Sequence, residues 1–308
     1  MPKRRLPLSR HPSKPSGTRN GRTMKKHYTV AGHGFMVDAE ESMFTEMKQY
    51  EPFMDEEEGN TLFTLRIRRS DTPIIFKEVH RQEEEGMSII CGETLEGKTV
   101  LEYLLGNKVM GWLVCSHDYK EGEVYYTGGQ RLFMVNNGLM MTYTFITSDK
   151  LTTLFHSSVV SYQGKAYMFL GKSGTGKSTH SQLWLKHIEG TELVNDDNPV
   201  VRIIDGEARV YGSPWSGKTP CYRNVDYPIG GIVKLKQAPK NEIRRMKPVE
   251  AYVALAMSIS GMRWKKQMGD GIHQTENQLT ATVPVWHLSC LPDQEAAELC
   301  CKTITNKD

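Results

Sequence analysis

The sequence is organised around the stretch Gly171-Lys172-Ser173-Gly174-Thr175-Gly176-Lys177-Ser178, which fits the pattern G-x-x-x-x-G-K-[ST] of a phosphate-binding loop. This pattern indicates phosphate binding where a strand leads into it and a helix leads out of it. Residues 166–170 form a short apolar run typical of a buried strand. Residues 179–188 place Leu183, Trp184 and Ile188 at helical spacing. The stretch therefore predicts that the chain binds a nucleoside triphosphate.

Each part of this loop has an expected role. Its backbone amides are expected to surround phosphates at the positive end of the following helix. Lys177 is expected to neutralise the β- and γ-phosphates, and the Ser178 hydroxyl is expected to bind Mg²⁺. ATP and Mg²⁺ are the predicted cofactors. The predicted nucleotide-binding residues are Gly171, Lys172, Ser173, Gly174, Thr175, Gly176, Lys177, Ser178 and Thr179.

Charge is distributed unevenly along the 308 residues, a length that suggests two domains. Residues 1–23 are predicted to be a disordered basic leader, because they contain seven Lys and Arg residues, four prolines and no acidic residue. Without those seven cations the chain has 32 basic and 36 acidic residues, so its remainder is near −4 although the whole is +3. The overall charge therefore does not indicate nucleic-acid binding. A nucleic-acid-binding arm and a translation start at Met24 are the alternative interpretations of the leader.

Neither a membrane nor a secretory pathway is indicated. No stretch approaches the roughly 18 apolar residues that a membrane span requires, and the leader has no apolar centre typical of a secretory signal. The six cysteines show no C-x-x-C pair and no zinc-binding spacing. We therefore expect a reduced, cytoplasmic protein.

Residues 24–150 are predicted to form a β-rich N-terminal domain of unknown role. Strands are predicted at residues 28–30, 34–37, 61–68, 74–78, 87–91, 111–115 and 123–126. Acidic clusters at residues 55–58 and 83–85 are expected to lie between strands. A linker helix at residues 137–150 is predicted to connect this domain to the second one.

Residues 151–308 are predicted to form an α/β domain of the P-loop type, because strands alternate with helices around the phosphate-binding loop. Strands are predicted at residues 159–162, 166–170, 192–195, 200–204, 208–211, 229–235 and 283–288. Further helices are predicted to begin at Pro248 and at Asp293. The whole chain is then of the α+β class.

Two carboxylates follow the predicted strand that ends at Asn195. Phosphoryl transfer requires one carboxylate to hold Mg²⁺ and another group to orient or deprotonate the acceptor. Asp196 and Asp197 can supply both, because consecutive side chains at the end of a strand point apart. The alternative is an Asx turn, for which Asp-Asp-Asn-Pro is well suited. The position about 20 residues after Lys177 favours the catalytic interpretation.

Two further places are candidates. His156 precedes Lys177 by 21 residues, although a lone histidine near a strand end is more often structural. The segment Gly212-Ser213-Pro214-Trp215-Ser216-Gly217-Lys218-Thr219 combines small residues, hydroxyls and a cation, which suits anion contact or a mobile lid. Within and after it, Ser216, Lys218 and Arg223 are candidates for contact with phosphate or substrate. The alternative is a tight turn with a solvated lysine.

Together these residues resemble the HPr kinase/phosphorylase family and its relatives of unassigned substrate. That family has a histidine at the separation of His156 from the loop lysine, a glycine where Gly164 lies, and a strand that ends in Ala-Asp-Asp where this chain has Asn195-Asp196-Asp197. The resemblance covers residues 154–201, with weaker support towards the C-terminus. It implies that one aspartate acts as a base on a serine hydroxyl and that His156 positions or tunes that site.

The chain also departs from the family. The signature Glu-Ile-Arg-Gly-Leu-Gly, which supports metal binding and phosphorolysis in that family, is absent. Residues 228–232 match it only weakly. Thr179 replaces the usual glutamate after the loop serine. The chain looks closer to HPr-kinase-like proteins with a Ser-Pro-Trp-Ser-Gly loop. ATP-dependent phosphoenolpyruvate carboxykinase shares the loop style and the Asp-Asp pair, but its other substrate and metal residues have no counterpart that we can assign.

The predicted function is transfer of the γ-phosphoryl group of ATP to a hydroxyl, most readily a serine of a protein or peptide. The alternatives are a small-molecule kinase and a non-catalytic, ATP-binding sensor or assembly module. The expected partners are the hydroxyl substrate and, in a homo-oligomer, further copies of the chain. Membranes and nucleic acids are not expected partners.

Overall fold

The strands of the chain form two sheets in a computed structural model that describes residues 22–56, 59–84, 86–217 and 219–305. One sheet has eight strands and the other has nine, and helices pack against both. The fold class is therefore mixed, of the α+β type. Residues 1–21 of the predicted leader lie outside the described residues, and the first strand begins at Thr23.

The N-terminal sheet has the spatial order β1-β2-β3-β8-β7-β6-β5-β4. Its strands are β1 (Thr23–Val30), β2 (His33–Glu40), β3 (Thr61–Arg69), β4 (Lys77–Glu84), β5 (Met87–Glu93), β6 (Thr99–Leu105), β7 (Lys108–Cys115) and β8 (Glu121–Tyr126). Along β3, Phe63, Leu65 and Ile67 are buried and alternate with more exposed residues, as the period of a strand requires. Helix α1 (Glu41–Phe44) and a 3-10 helix (Lys48–Phe53) follow β2, and α2 (Arg131–Thr147) packs against β3, β7 and β8.

The second sheet is built around one long strand, β15. Its strands are β9 (Thr152–Leu154), β10 (Ser157–Tyr162), β11 (Lys165–Leu170), β12 (Glu192–Asp197), β13 (Val200–Ile204), β14 (Glu207–Tyr211), β15 (Asp226–Gln237), β16 (Glu242–Arg245) and β17 (Val285–Cys290). The first part of β15 pairs with β14, and its later part lies parallel to both β11 and β17. The carboxyl ends of these three parallel strands therefore meet at one edge of the sheet.

Helices cover both faces of this parallel part. Helices α3 (Lys177–His187) and α6 (Gln294–Thr305) pack together on one face, where Trp184 and Cys300 are buried in one cluster. Helices α4 (Pro248–Ala256) and α5 (Lys266–Thr282) pack on the other face, where Leu255 and Leu279 are buried. None of the helices in the described parts of the chain is long and apolar enough to cross a membrane.

One buried cluster takes residues from both sides of position 150. It contains the core of the N-terminal sheet together with Leu154, Val200, Trp215, Met262 and Met268. The indole nitrogen of Trp215 donates a hydrogen bond to the Tyr50 hydroxyl at 3.0 Å, so the contact is polar as well as apolar. The two halves of the chain are therefore packed together through a shared core.

Several predicted elements differ from the structure. The strand predicted at residues 74–78 is wrong, because β4 runs from Lys77 to Glu84 and takes in Glu83, which was expected in a loop. The linker helix begins at Arg131 rather than at residue 137, and it packs on the sheet. The pattern did not predict α1, β6, β9, β16 or α5, and it placed Asp196 and Asp197 after β12 whereas both lie within it.

Candidate functional site

The predicted phosphate-binding loop connects β11 to α3. Strand β11 ends at Leu170 and α3 begins at Lys177, so the strand and the helix predicted around the loop are both confirmed. Gly174 and Gly176 have φ angles of 76° and 103°, a region that residues with a side chain rarely adopt. A Cβ would meet nothing within 4 Å at either position, so glycine is needed there for the backbone conformation.

Lys177 lies within the curve of the loop. Its ammonium donates a hydrogen bond to the Gly171 carbonyl at 3.0 Å. Burial lowers the pKa of this ammonium, while the nearby carboxylates of Asp197 and Asp196 act in the opposite direction. The pKa effects indicate that the two aspartates are close enough to Lys177 to interact electrostatically. Of the other loop residues, Lys172, Ser173, Ser178 and Thr179 are exposed.

The two aspartates at the end of β12 face opposite sides of the sheet. Asp196 lies opposite Ser158, whose hydroxyl is 2.6 Å from the Ser181 hydroxyl of α3. Asp196 therefore projects to the side of α3, where Ser178 lies one turn before Ser181. Asp196 is 4% exposed. Its burial beside the helix that carries Ser178 is consistent with a shared metal ion between phosphate and protein.

Asp197 projects towards the opposite face and contacts His156. The Nδ1 atom of His156 lies 3.1 Å from Oδ1 of Asp197. The side-chain amide of Asn198 donates a hydrogen bond to the other carboxylate oxygen, Oδ2, at 2.8 Å. The Asp197 side chain is 34% exposed, so a substrate can reach it. Two residues that the sequence placed 41 positions apart are thus in direct contact.

The segment that follows β14, residues 212–217, packs against the backbone of the two aspartates. The Gly217 amide donates to the Asp196 carbonyl at 2.7 Å, and Ser216 forms an isolated backbone bridge with Asp197. A Cβ on Gly217 would lie 2.9 Å from that carbonyl and 3.0 Å from Cβ of Asp197, so a larger residue would push the segment away. Ser216 is thus brought to the site. Lys218 lies outside the described residues.

Arg223 is not brought to the site. It forms an ion pair of 2.7 Å with Glu192 and donates to the Leu193 carbonyl at 2.7 Å. Both partners lie at the start of β12, at the end opposite to Asp197. Arg223 therefore stabilises the start of β12. In this arrangement its guanidinium lies away from the predicted phosphate-binding loop.

Three polar residues of this edge were not predicted as site residues, although Asn195 was noted as part of the Asn195-Asp196-Asp197 motif. Gln237, the last residue of β15, donates to the Gly174 and Thr175 carbonyls of the loop at 3.2 and 3.4 Å. The buried Ser157 hydroxyl and Oδ1 of Asn195 have no hydrogen-bond partner among the described residues. The strand predicted at residues 229–235 lies just before Gln237, but the sequence did not show that this strand runs parallel to the strand before the loop and ends at the same edge.

A cavity of about 660 Å³ adjoins the loop, which is within the usual range of ligand pockets. Backbone and side chains of Gly174, Thr175, Gly176 and Thr179 line it on one side. Its other walls are mostly apolar and include Leu183, Leu235, Ala238, Pro239, Leu291 and Pro292. The cavity can therefore take an apolar ring system attached to a phosphate group in the loop.

The described residues contain no group of three or more His, Cys, Asp or Glu side chains placed to hold a metal ion. Mg²⁺ beside phosphates is usually bound through one or two carboxylates together with substrate oxygens and water. Ser178 and Asp196 are the protein groups that fit such an ion best, because both lie on the α3 side of the sheet.

No protein-family model matches the sequence, and the search of curated proteins finds no match either. The resemblance to the HPr kinase/phosphorylase family therefore stays a prediction from the motifs. What the geometry provides is a loop with the phosphate-binding pattern, a lysine, two carboxylates and a histidine at one edge of one sheet. These are groups of the kind that phosphoryl transfer requires.

Proposed function

We propose that the chain is an ATP-dependent phosphotransferase with an HPr-kinase-like P-loop kinase domain. It would transfer the γ-phosphoryl group of ATP to a hydroxyl, with a serine of a protein or peptide as the preferred acceptor. The observation that carries this proposal is the contact of His156 with Asp197 beside Lys177. A loop that only binds phosphate has no need of an accessible carboxylate held by a histidine.

The loop supplies the binding part of the mechanism. Its amides, together with Lys177, would hold the β- and γ-phosphates and neutralise their charge. For this, Lys177 exchanges its hydrogen bond to the Gly171 carbonyl for one to phosphate. The adjoining cavity would take the adenine ring, and Gln237 would keep the carbonyls of Gly174 and Thr175 turned away from the phosphates.

The two aspartates would have different roles in the transfer. Asp196 and Ser178 would hold Mg²⁺, which supplies charge neutralisation at the phosphates when it is bound. Asp197 would accept the proton of the acceptor hydroxyl, because it is the more accessible of the pair. His156 would position the Asp197 carboxylate through Nδ1. Most of the rate enhancement would come from positioning and from stabilisation of charge.

The test uses γ-labelled ATP, Mg²⁺, the full chain and a lysate of the source organism. Products are separated into polypeptide and small-molecule fractions. Asp196→Asn and Asp197→Asn remove one charge each, and Asp205→Asn is the matched control. Asp205 lies in the hairpin turn between β13 and β14, has a φ of 51° and should tolerate asparagine.

We expect label in a polypeptide with the wild-type chain and the Asp205→Asn control, and little label with either site variant. Label in the small-molecule fraction alone would replace the protein acceptor by a metabolite. Tight ATP binding with no label in either fraction would contradict the phosphotransferase and leave an ATP-binding module. Equal labelling by all four proteins would contradict the roles of the aspartates.

A further inference from the structure

Basic side chains lie on the same edge and the same face of the second sheet as Asp197. Paired positions run in one row from Asp197 through Ser157, Leu170, Lys234 and His287 to Arg244. Residues directly opposite each other on neighbouring strands project from the same face. Lys236 lies two residues beyond Lys234, so it projects from this face as well. We name Lys234, Lys236, His287 and Arg244 the basic row.

The buried clusters give the same assignment of faces. Leu170, Ile232 and Val285 belong to the cluster that faces α4 and α5. Lys234 lies two residues after Ile232 on β15, and His287 lies two residues after Val285 on β17. Both therefore project from the α4 and α5 side, beyond the point where that side is covered, and both are partly exposed. Asp197 lies on this side too, opposite to Asp196.

The basic row carries positive charge that the protein only partly neutralises. Lys234 and Lys236 form no ion pair with any residue that the structure describes. Arg244 is held by Glu250 through two hydrogen bonds of 2.9 Å. Burial lowers the pKa of His287, and the charges of Arg244, Lys234 and Lys236 lower it further. An anion at this place would therefore meet two lysines that have no ion-pair partner among the described residues.

The length of the basic row fits a polypeptide. With about 4.8 Å between neighbouring strands, Lys234 lies about 14 Å and Arg244 about 24 Å from Asp197. A small metabolite whose hydroxyl reaches Asp197 does not extend over this distance. An extended polypeptide covers about 3.3 Å per residue, so the same span corresponds to about four to seven residues.

We propose that the basic row binds an acidic segment of the acceptor polypeptide, about four to seven residues from the hydroxyl that Asp197 deprotonates. This inference rests on the proposed kinase function. The phosphate loop and the aspartates would perform the transfer, and the basic row would select which polypeptides are placed there. Charge complementarity of this kind mainly changes the rate of association and its dependence on salt.

The test compares the full chain with the double variant Lys234→Gln/Lys236→Gln and with the control Lys165→Gln. Lys165 is an exposed lysine at the opposite end of β11, the strand next to β15. Transfer of label from ATP to lysate polypeptides is measured over a range of lysate concentrations and at low and high salt. Affinity for a fluorescent ATP analogue reports on folding and on the loop. The single variant Lys236→Gln, at an exposed position, replaces the double variant if the latter does not fold.

We expect the double variant to label polypeptides about tenfold more slowly at limiting lysate, with less difference at high lysate concentration. Added salt should slow the wild-type chain and the control, and have little effect on the double variant, because salt screens the charges that it lacks. Affinity for the ATP analogue should stay within about threefold. Mapping the labelled residue should find acidic residues about four to seven positions from it.

Each contrary result has a distinct meaning. Labelling by the double variant at the wild-type rate, with the wild-type response to salt, would overturn the docking inference and leave the kinase proposal intact. A labelled hydroxyl with no acidic residue within that distance would do the same. Absence of label with the wild-type chain, or label in small molecules alone, would overturn the protein kinase proposal and the docking inference together.

Discussion

Both ends of β12 carry acidic side chains, but these side chains have different partners at the two ends. At its start, Glu192 is paired with Arg223 at 2.7 Å, and the same arginine caps the Leu193 carbonyl. At its other end, Asp196 and Lys177 form no ion pair with the described residues, and among those residues the Asp197 carboxylate contacts His156 and the side-chain amide of Asn198. Charges that stabilise a fold are paired within it. Charges that have no partner among the described residues, at the predicted phosphate-binding loop, are available to a ligand.

The largest expected effect is at the open end of the strand. Asp197→Asn keeps the shape and removes the proposed base, so turnover should fall by at least about a hundredfold. Affinity for an ATP analogue should change little, because the loop is unaltered. Rates of label transfer and fluorescence titrations measure the two quantities. Turnover equal to that of the Asp205→Asn control would show that Asp197 is no more functional than a turn residue.

Lys177→Ala tests the cation that faces the aspartates. It should weaken ATP binding and lower turnover by about a hundredfold, since the charge proposed to hold the transferring phosphoryl group is lost. Lys186→Ala, in an exposed position in the last turn of α3, is the control and should stay within about threefold. Similar effects of both substitutions on ATP affinity would mean that this affinity depends on the net charge near the loop and not on the position of Lys177.

Helix α3, which precedes β12 in the chain, contains a histidine whose burial makes the stability of the fold depend on pH. Burial lowers the pKa of His180 to about 4 from a usual value of 6.5. The folded state keeps His180 neutral while the unfolded state binds a proton below pH 6.5, so its contribution is complete above pH 6.5 and is lost as pH falls towards 4. At pH 5 the loss is about 2 kcal/mol relative to pH 8.

Urea titrations of the wild-type chain and of His180→Gln at both pH values measure this loss. Glutamine can accept the hydrogen bond that the Trp184 indole donates to Nε2 of His180 at 3.2 Å. The stability advantage of the wild-type chain over the variant should shrink by about 2 kcal/mol between pH 8 and pH 5. An advantage that is constant with pH would mean that His180 has an ordinary pKa.

The smallest effect is expected at the paired end. Glu192→Gln leaves Arg223 its bond to the Leu193 carbonyl and removes an exposed ion pair, which is worth at most about 1 kcal/mol. Turnover should be unchanged. A fall in label transfer comparable to that of Asp197→Asn would end the distinction between the two ends of the strand.

The parts of the site that lie close together in sequence were predictable. The loop pattern, the apolar run before it and the helix after it are local features, and the structure has all three. The contact of His156 with Asp197 depends on the antiparallel pairing of β10 with β12, which spacing alone does not specify. Gln237 reaches the loop only because β15 lies beside β11, and local patterns carry no information on that neighbour.

The sequence did not predict α5 and β4 because many of their side chains are polar. Helix α5 buries Gly271, Thr275 and Glu276 as well as apolar residues, so its inward face does not look hydrophobic in the sequence. Strand β4 has five charged residues in eight, because it is an edge strand with mostly exposed side chains. Charged edge strands discourage pairing with other chains, and the same charge hides them from a search for apolar alternation.

Trp215 gives the segment that touches the aspartates a second attachment. Its ring is buried in the core of the N-terminal sheet and bonded to Tyr50, while its neighbours Ser216 and Gly217 contact the backbone of Asp197 and Asp196. Removing residues 24–150 would therefore leave a buried indole without a pocket. In evolution and in gene construction alike, the N-terminal sheet and the proposed catalytic edge would have to be inherited together, since neither can be exchanged without refitting the other.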